Sequence, residues 1–166
     1  MEAYRLAARQ LDCPFHLGVT EAGTARMGLI KSAAAFGALL ADGIGDTLRV
    51  SLTADPVEEV KAGKDILRAL GLEKGPKLIS CPTCGRCRVD LFSMAREVEE
   101  ALRGCEKDIK VAVMGCAVNG PGEARDADLG LAGGDGEMLL FRKGEPVKKI
   151  PEEGAVKALL EEIEKF

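Results

Sequence analysis

Apolar and polar positions follow a rhythm that switches between helix and strand along the first seventy residues. Residues 1–11 have the spacing of an amphipathic helix, Phe15-His-Leu-Gly-Val-Thr20 alternates as a strand, residues 26–41 are Ala-rich and helical, and Thr47-Leu-Arg-Val-Ser-Leu52 is a second strand. Asp55-Pro56 then opens a helix. Asp55 suits the N-cap, Pro56 the first turn, and Glu58 the far side of a capping box. Gly71 suits a left-handed end. Helix and strand in alternation predict an α/β fold with a parallel sheet. Two strands cannot bury themselves, so they fit the last two strands of an eight-stranded barrel.

Gly75-Pro76 marks a boundary. The expected domains are therefore 1–74, a partial barrel segment, and 75–166, a small α/β domain. In the second, Lys77–Ser80 reads as a strand. Residues 89–103 read as a helix with Leu91, Ala95, Val98 and Leu102 on its apolar face, ended by Gly104. Ile109–Met114, 127–132 and 137–142 read as strands, the last two around the tight-turn signal Gly133-Gly-Asp-Gly136. Val147–Ile150 is a further strand. Val156, Leu159, Leu160 and Ile163 give the final helix an apolar stripe.

Composition narrows the classes. Hydrophobic residues make up 46% of the 166, enough for a core, but aromatics are only 4% and Trp is absent, so that core is aliphatic. A net charge of −4 with interspersed Lys and Glu gives no basic face for nucleic acid. No apolar run is long enough to cross a membrane. Six cysteines with no signal-peptide pattern ahead of them point to ligands in a reducing cytoplasm rather than to disulfides.

The cysteines carry the candidate chemistry. Cys81-Pro-Thr-Cys84 and Cys116-Ala-Val-Asn-Gly-Pro-Gly-Glu123 offer three thiolates and a carboxylate in turns that fold closely around an inorganic centre, an iron–sulfur cluster or zinc. The glycines of the Asn119-Gly-Pro-Gly122 turn let backbone amides approach such a centre. A carboxylate is a harder and weaker donor to cluster iron than sulfur, so the iron it holds can exchange its ligand. Cys87 extends the first run to CxxCxxC and by spacing alone competes as a ligand. Cys13 and Cys105 have no partner at ligand spacing and read as small buried hydrophobes. At the ends of the two early strands, Thr20, Glu21, Arg49 and Ser51 are polar where a barrel carries its chemistry, and a guanidinium such as Arg49 binds phosphate oxygens in a fork. His16, the only histidine, reads as structural, and Lys31 as a solvated side chain.

Cys-Pro-Thr-Cys-Gly-Arg (81–86) and Gly-Cys-Ala-Val-Asn-Gly-Pro-Gly-Glu-Ala (115–124), with His-Leu-Gly-Val-Thr-Glu-Ala-Gly (16–23) and Gly-Ile-Gly-Asp-Thr-Leu-Arg-Val-Ser-Leu (43–52), resemble the 4-hydroxy-3-methylbut-2-enyl diphosphate synthase family of the non-mevalonate isoprenoid pathway. The likeness runs in order through nearly the whole chain, which looks like the C-terminal half of such an enzyme, without its N-terminal region and inactive alone. The resemblance implies the C-terminal part of a (β/α)8 TIM-type barrel followed by a small α/β 4Fe–4S cluster domain. It implies Cys81, Cys84, Cys116 and Glu123 as cluster ligands, with Glu123 exchangeable and catalytic, and Cys87 as a spare thiol. Glu21 is implied as catalytic, and Thr20, Arg49 and Ser51 as substrate-binding.

The implied reaction is reductive ring opening of 2-C-methyl-D-erythritol 2,4-cyclodiphosphate to 4-hydroxy-3-methylbut-2-enyl diphosphate, with two electrons from reduced flavodoxin or ferredoxin. The complete enzyme is implied to be a homodimer. Two rivals stand beside this reading. One is a zinc-binding interaction module on Cys81, Cys84, Cys87 and Cys116. The other is a thiol–disulfide oxidoreductase using Cys81 and Cys84.

Overall fold

The computed structural model describes residues 1–166, whose contacts divide into two units, Met1–Glu73 and Lys74–Phe166. The first unit runs α1 (Glu2–Ala8), β1 (His16–Gly18), α2 (Ala25–Ala41), β2 (Thr47–Arg49) and α3 (Pro56–Ala69). The strands are parallel, with Leu17 opposite Leu48 and Gly18 opposite Arg49. Leu17, Phe36, Leu39, Val50, Ala62 and Ile66 form the core of this unit. α1 is shorter than expected and buries no residue. It is held by Tyr4, whose hydroxyl donates to the His16 carbonyl at 2.8 Å, and by Arg5, paired with Asp42 at 2.7 Å. His16 fills a structural role, its Nδ1 lying 2.8 Å from Thr47 Oγ1.

Both strands stop earlier than the alternation suggests. After Gly18 the chain turns at Thr20 and Glu21, and the two strands meet again only where the Thr53 N–H donates to the Gly23 carbonyl at 2.9 Å. Val50 remains buried without belonging to a ladder. The start of α3 also differs from expectation. Asp55 accepts from the Val57 N–H at 2.8 Å, but the Glu58 carboxylate is taken by Lys61 at 2.7 Å and does not close a capping box. Its end is as read: Gly71 sits at φ +74°, the Leu72 N–H donates to the Leu67 carbonyl and the Gly71 N–H to that of Arg68, a Schellman pair.

The second unit runs β3 (Lys77–Ser80), α4 (Leu91–Leu102), β4 (Lys110–Met114), α5 (Gly120–Glu123), β5 (Leu129–Gly133), β6 (Glu137–Arg142), β7 (Glu145–Pro151) and α6 (Ala155–Glu164). The sheet has the order β3-β4-β5-β6-β7, with the first three strands parallel and the last two joined antiparallel. Side chains alternate across β4. Val111 and Val113 join the main core with Leu91, Val98 and Leu102 of α4 and Val156, Leu159 and Ile163 of α6, while Ala112 and Met114 pack with Ala124, Ala132 and Phe141 on the other face. Met94 joins Leu91, Val98 and Leu102 in the buried stripe of α4, while Ala95 beside it is half-buried. Lys143 and Gly144, both at positive φ, make a two-residue turn between β6 and β7 of the kind that matches strand twist.

Residues 119–123, expected as a plain turn, wind into α5. The Gly120 N–H donates to the Cys116 carbonyl at 3.1 Å and the Glu123 N–H to that of Asn119 at 2.8 Å, so four-residue bonds follow one another and Glu123 ends a helical turn.

Candidate functional site

β3 and β4 run side by side with Ser80 opposite Val113. The loops leaving their carboxyl ends therefore emerge together, the usual place for a ligand in an open α/β sheet. Cys81 follows β3 directly, and Cys116 lies two residues beyond β4. Gly115 joins the two loops: its N–H donates to Cys81 Sγ at 3.3 Å, and its carbonyl accepts from the Arg88 N–H at 3.0 Å. A side chain at 115 would meet Cys87 Sγ at 2.7 Å, so the absence of a Cβ is what lets the segments close. Cys81, Cys87 and Cys116 are half-buried and Cys84 is exposed.

Cys84-Gly85-Arg86-Cys87 is a tight turn in which the Cys87 N–H donates to the Cys84 carbonyl at 2.9 Å. The Arg86 backbone N–H, reinforced by its guanidinium and by the Cys87 N–H, holds the Cys84 thiol below its ordinary range and favours the thiolate. No hydrogen bond closes the Cys81–Cys84 span, which carries no turn. Glu123 is exposed, and its carboxylate accepts from Asn119 Nδ2 at 3.4 Å. The structure thus brings Cys81 beside the Cys116 loop but does not draw Glu123 onto the thiols. No three Cys, His, Asp or Glu side chains converge as a single metal ion requires. Three thiols at neighbouring strand ends, one of them accepting a backbone N–H, are a donor set whose chemistry fits an iron–sulfur cluster. Gly115, Arg86 and Asn119 were not singled out from sequence; a glycine immediately before a candidate ligand was the available signal. Cys13, expected to be buried, is exposed in the loop between α1 and β1, while Cys105 packs against the main core.

In the first unit, Thr20 and Glu21 form the turn after β1, both exposed. Glu21 is held at φ +54°, a conformation uncommon for a residue with a side chain and concentrated at functional sites. Arg49 ends β2 and lays its guanidinium over Gly18, Nη2 standing 3.2 Å from where a Cβ would be. Ser51 is half-buried just beyond the strand. Arg49 also borders a groove of about 450 Å³ against α3. There Glu59 and Glu73 balance Arg49 and Lys64, so the groove is not a cationic phosphate cradle.

Residues 77–165 match the family model described as the GcpE protein C-terminal domain. The chain belongs to the GcpE family. Residues 1–64 match the GcpE TIM-barrel domain, in keeping with the mixed α/β architecture. Among curated GcpE relatives, a protein of Clostridium perfringens is 61% identical over 165 residues, covering 99% of this chain and 47% of the relative. One of Geobacter sulfurreducens is 62% identical over 165 residues, with the same coverages, and one of Bacillus licheniformis is 58% identical over 167 residues, 100% of this chain and 45% of the relative. Each of these relatives bears the name 4-hydroxy-3-methylbut-2-en-1-yl diphosphate synthase (flavodoxin). The GcpE chain spans about half the length of the curated relatives it matches.

Proposed function

We propose that residues 75–166 form a 4Fe–4S cluster domain, that residues 1–74 are the last two strands and flanking helices of a (β/α)8 barrel, and that together they belong to an iron–sulfur oxidoreductase of isoprenoid synthesis. Its reaction is the two-electron reductive opening of 2-C-methyl-D-erythritol 2,4-cyclodiphosphate to 4-hydroxy-3-methylbut-2-enyl diphosphate. Reduced flavodoxin is the donor that the relatives' names favour over ferredoxin. The complete enzyme is proposed as a homodimer, on the resemblance alone, and as cytoplasmic, on its cysteine usage, and this chain as insufficient for turnover, since a barrel site draws on several strands.

One observation carries the reading: the Gly115 N–H bonded to Cys81 Sγ, which fixes two loops with three of the four candidate ligands at neighbouring strand ends. Cys81, Cys84 and Cys116 would hold the cluster, with Glu123 as the exchangeable fourth ligand. Bound there, the cluster supplies single electrons for breaking a C–O bond. The Gly115 amide draws charge from the Cys81 sulfur, which favours the reduced state. Asn119 holds one oxygen of Glu123 and keeps the carboxylate within the loop. Arg49 offers two parallel N–H donors to a diphosphate, Ser51 and Thr20 offer hydroxyls, and Glu21 is the proposed catalytic carboxylate of the first unit.

Anaerobic reconstitution with iron and sulfide tests the centre. The expected result is about four irons per chain, lost in Cys81→Ala, Cys84→Ala and Cys116→Ala and kept in Cys87→Ala. A cluster that survives Cys116→Ala but not Cys87→Ala would replace this ligand set with another.

A further inference from the structure

The proposed ligands leave Cys87 without a role, yet it is the cysteine most closely coupled to the rest. Its N–H closes the turn onto the Cys84 carbonyl at 2.9 Å. That turn brings the two α-carbons within about 7 Å, and a disulfide accepts α-carbons roughly 4.4–6.8 Å apart. Neither Gly85 nor Arg86 is at positive φ, so the turn is right-handed, like the start of a helix. Cys84 is exposed and open to reagents. The Cys87 thiol makes one weak hydrogen bond, donated to the Val89 carbonyl at 3.4 Å, and otherwise packs beside Gly115 at the edge of the main core, contacts it must leave to reach Cys84. Cys81–Cys84, the pair read from sequence as the thiol–disulfide alternative, has the same spacing but no closing hydrogen bond.

We propose that Cys84 and Cys87 form a reversible disulfide across the Gly85-Arg86 turn when the chain carries no cluster, by exchange with a low-molecular-weight disulfide. The Cys84 sulfur attacks one sulfur of that reagent, forming a mixed disulfide and releasing one thiol. The Cys87 sulfur then attacks Cys84 Sγ and releases the second thiol. Two protein thiols are oxidised, one reagent disulfide is reduced, and the two protons leave on the released thiols. The bridge stands on the geometry of the turn. Its consequence, that a cluster ligand is withheld until a reductant returns it, rests on the ligand role proposed for Cys84.

Peptide mapping decides the matter. The reduced, cluster-free chain is incubated with oxidised glutathione, alkylated and cut with trypsin, which cleaves after Arg86 between the two cysteines. The expected product joins the peptide carrying Cys81 and Cys84 to that carrying Cys87, is split by dithiothreitol, and leaves two of the six thiols unlabelled. It persists in Cys81→Ser and disappears in Cys84→Ser, with circular dichroism confirming that each variant is folded. A link that survives in Cys84→Ser overturns the proposal. So does full labelling of all six thiols in glutathione mixtures that oxidise a short peptide of the same 84–87 sequence. In a second arm, the bridged chain takes up no iron and sulfide until reduced. If the reduced chain also takes up none, the cluster assignment fails, while the mapping still reports on the bridge.

Discussion

Cys87 Sγ stands 2.7 Å from the position of a Cβ on Gly115, and Cys87 Cβ stands 3.3 Å from it. A methyl group at 115 therefore has to displace a half-buried sulfur or the strand end itself. Gly115→Ala is expected to lower stability by about 1–3 kcal/mol, the usual cost of overpacking. Urea unfolding reads this. The same substitution made in a Cys87→Ala background should cost clearly less, because the obstructing atom is gone. Equal costs in both backgrounds would mean that the sulfur yields freely.

Glu123 is exposed and held through a single amide contact from Asn119. On the proposed ligand set, Glu123→Cys should keep about four irons and surrender them to a chelator more slowly than the parent, since thiolate binds iron more tightly than carboxylate. Iron release followed by absorbance measures it. Release as fast as in the parent would separate Glu123 from the cluster.

Gly130 lies opposite Phe141 in the antiparallel pair, and a Cβ there would fall inside contact with the ring, 2.8 Å from Cε1 and 2.9 Å from Ala112 Cβ. All three residues are buried. Gly130→Ala should cost about 3 kcal/mol, and Phe141→Leu in the same chain should return part of it. The denaturant midpoints of the two single variants and the double variant provide the comparison.

Asp90 caps α4, accepting from the Ser93 N–H at 3.2 Å, and the Ser93 side chain and amide hold its carboxyl below the usual carboxylate range. A depressed folded value means that the stabilisation is complete above the unfolded value of about 3.9 and is lost as pH falls through the folded value. Asp90→Asn keeps an acceptor but removes this titration. The parent's advantage over the variant in urea midpoint should therefore shrink from neutral pH toward about pH 3. An advantage constant across that range would contradict the assignment.

The helices and their order were legible because their signals are local. Asp55, Pro56 and Gly71 bracket α3, and the Val156, Leu159 and Ile163 stripe faces the core as its spacing implies. The strand ends were not, since a ladder needs a partner that local alternation does not contain. Ser51 keeps the polar half of the pattern but lies beyond the last β1–β2 pair. Lys143 at positive φ is another such case: the two-residue closure of β6 onto β7, rather than any preference of lysine, sets that conformation. For the candidate site, Cys81 beside Cys116 follows from parallel strands ending together. The Cys84–Cys87 turn, the Gly115 contacts and the helical winding of 120–123 depend on backbone bonds that spacing does not specify.

β1 and β2 hydrogen-bond only to each other over three residue pairs, whereas β4 lies between two parallel neighbours. In deuterated buffer the chain should therefore keep two clocks. The amides of Leu17 and Arg49 would exchange through brief local openings, since only one short ladder has to part. Those of Val111 and Val113 would wait for unfolding of the five-stranded sheet. The strands that carry the proposed phosphate contacts would then be the first part of this chain to loosen, and those beneath the cysteine loops the last.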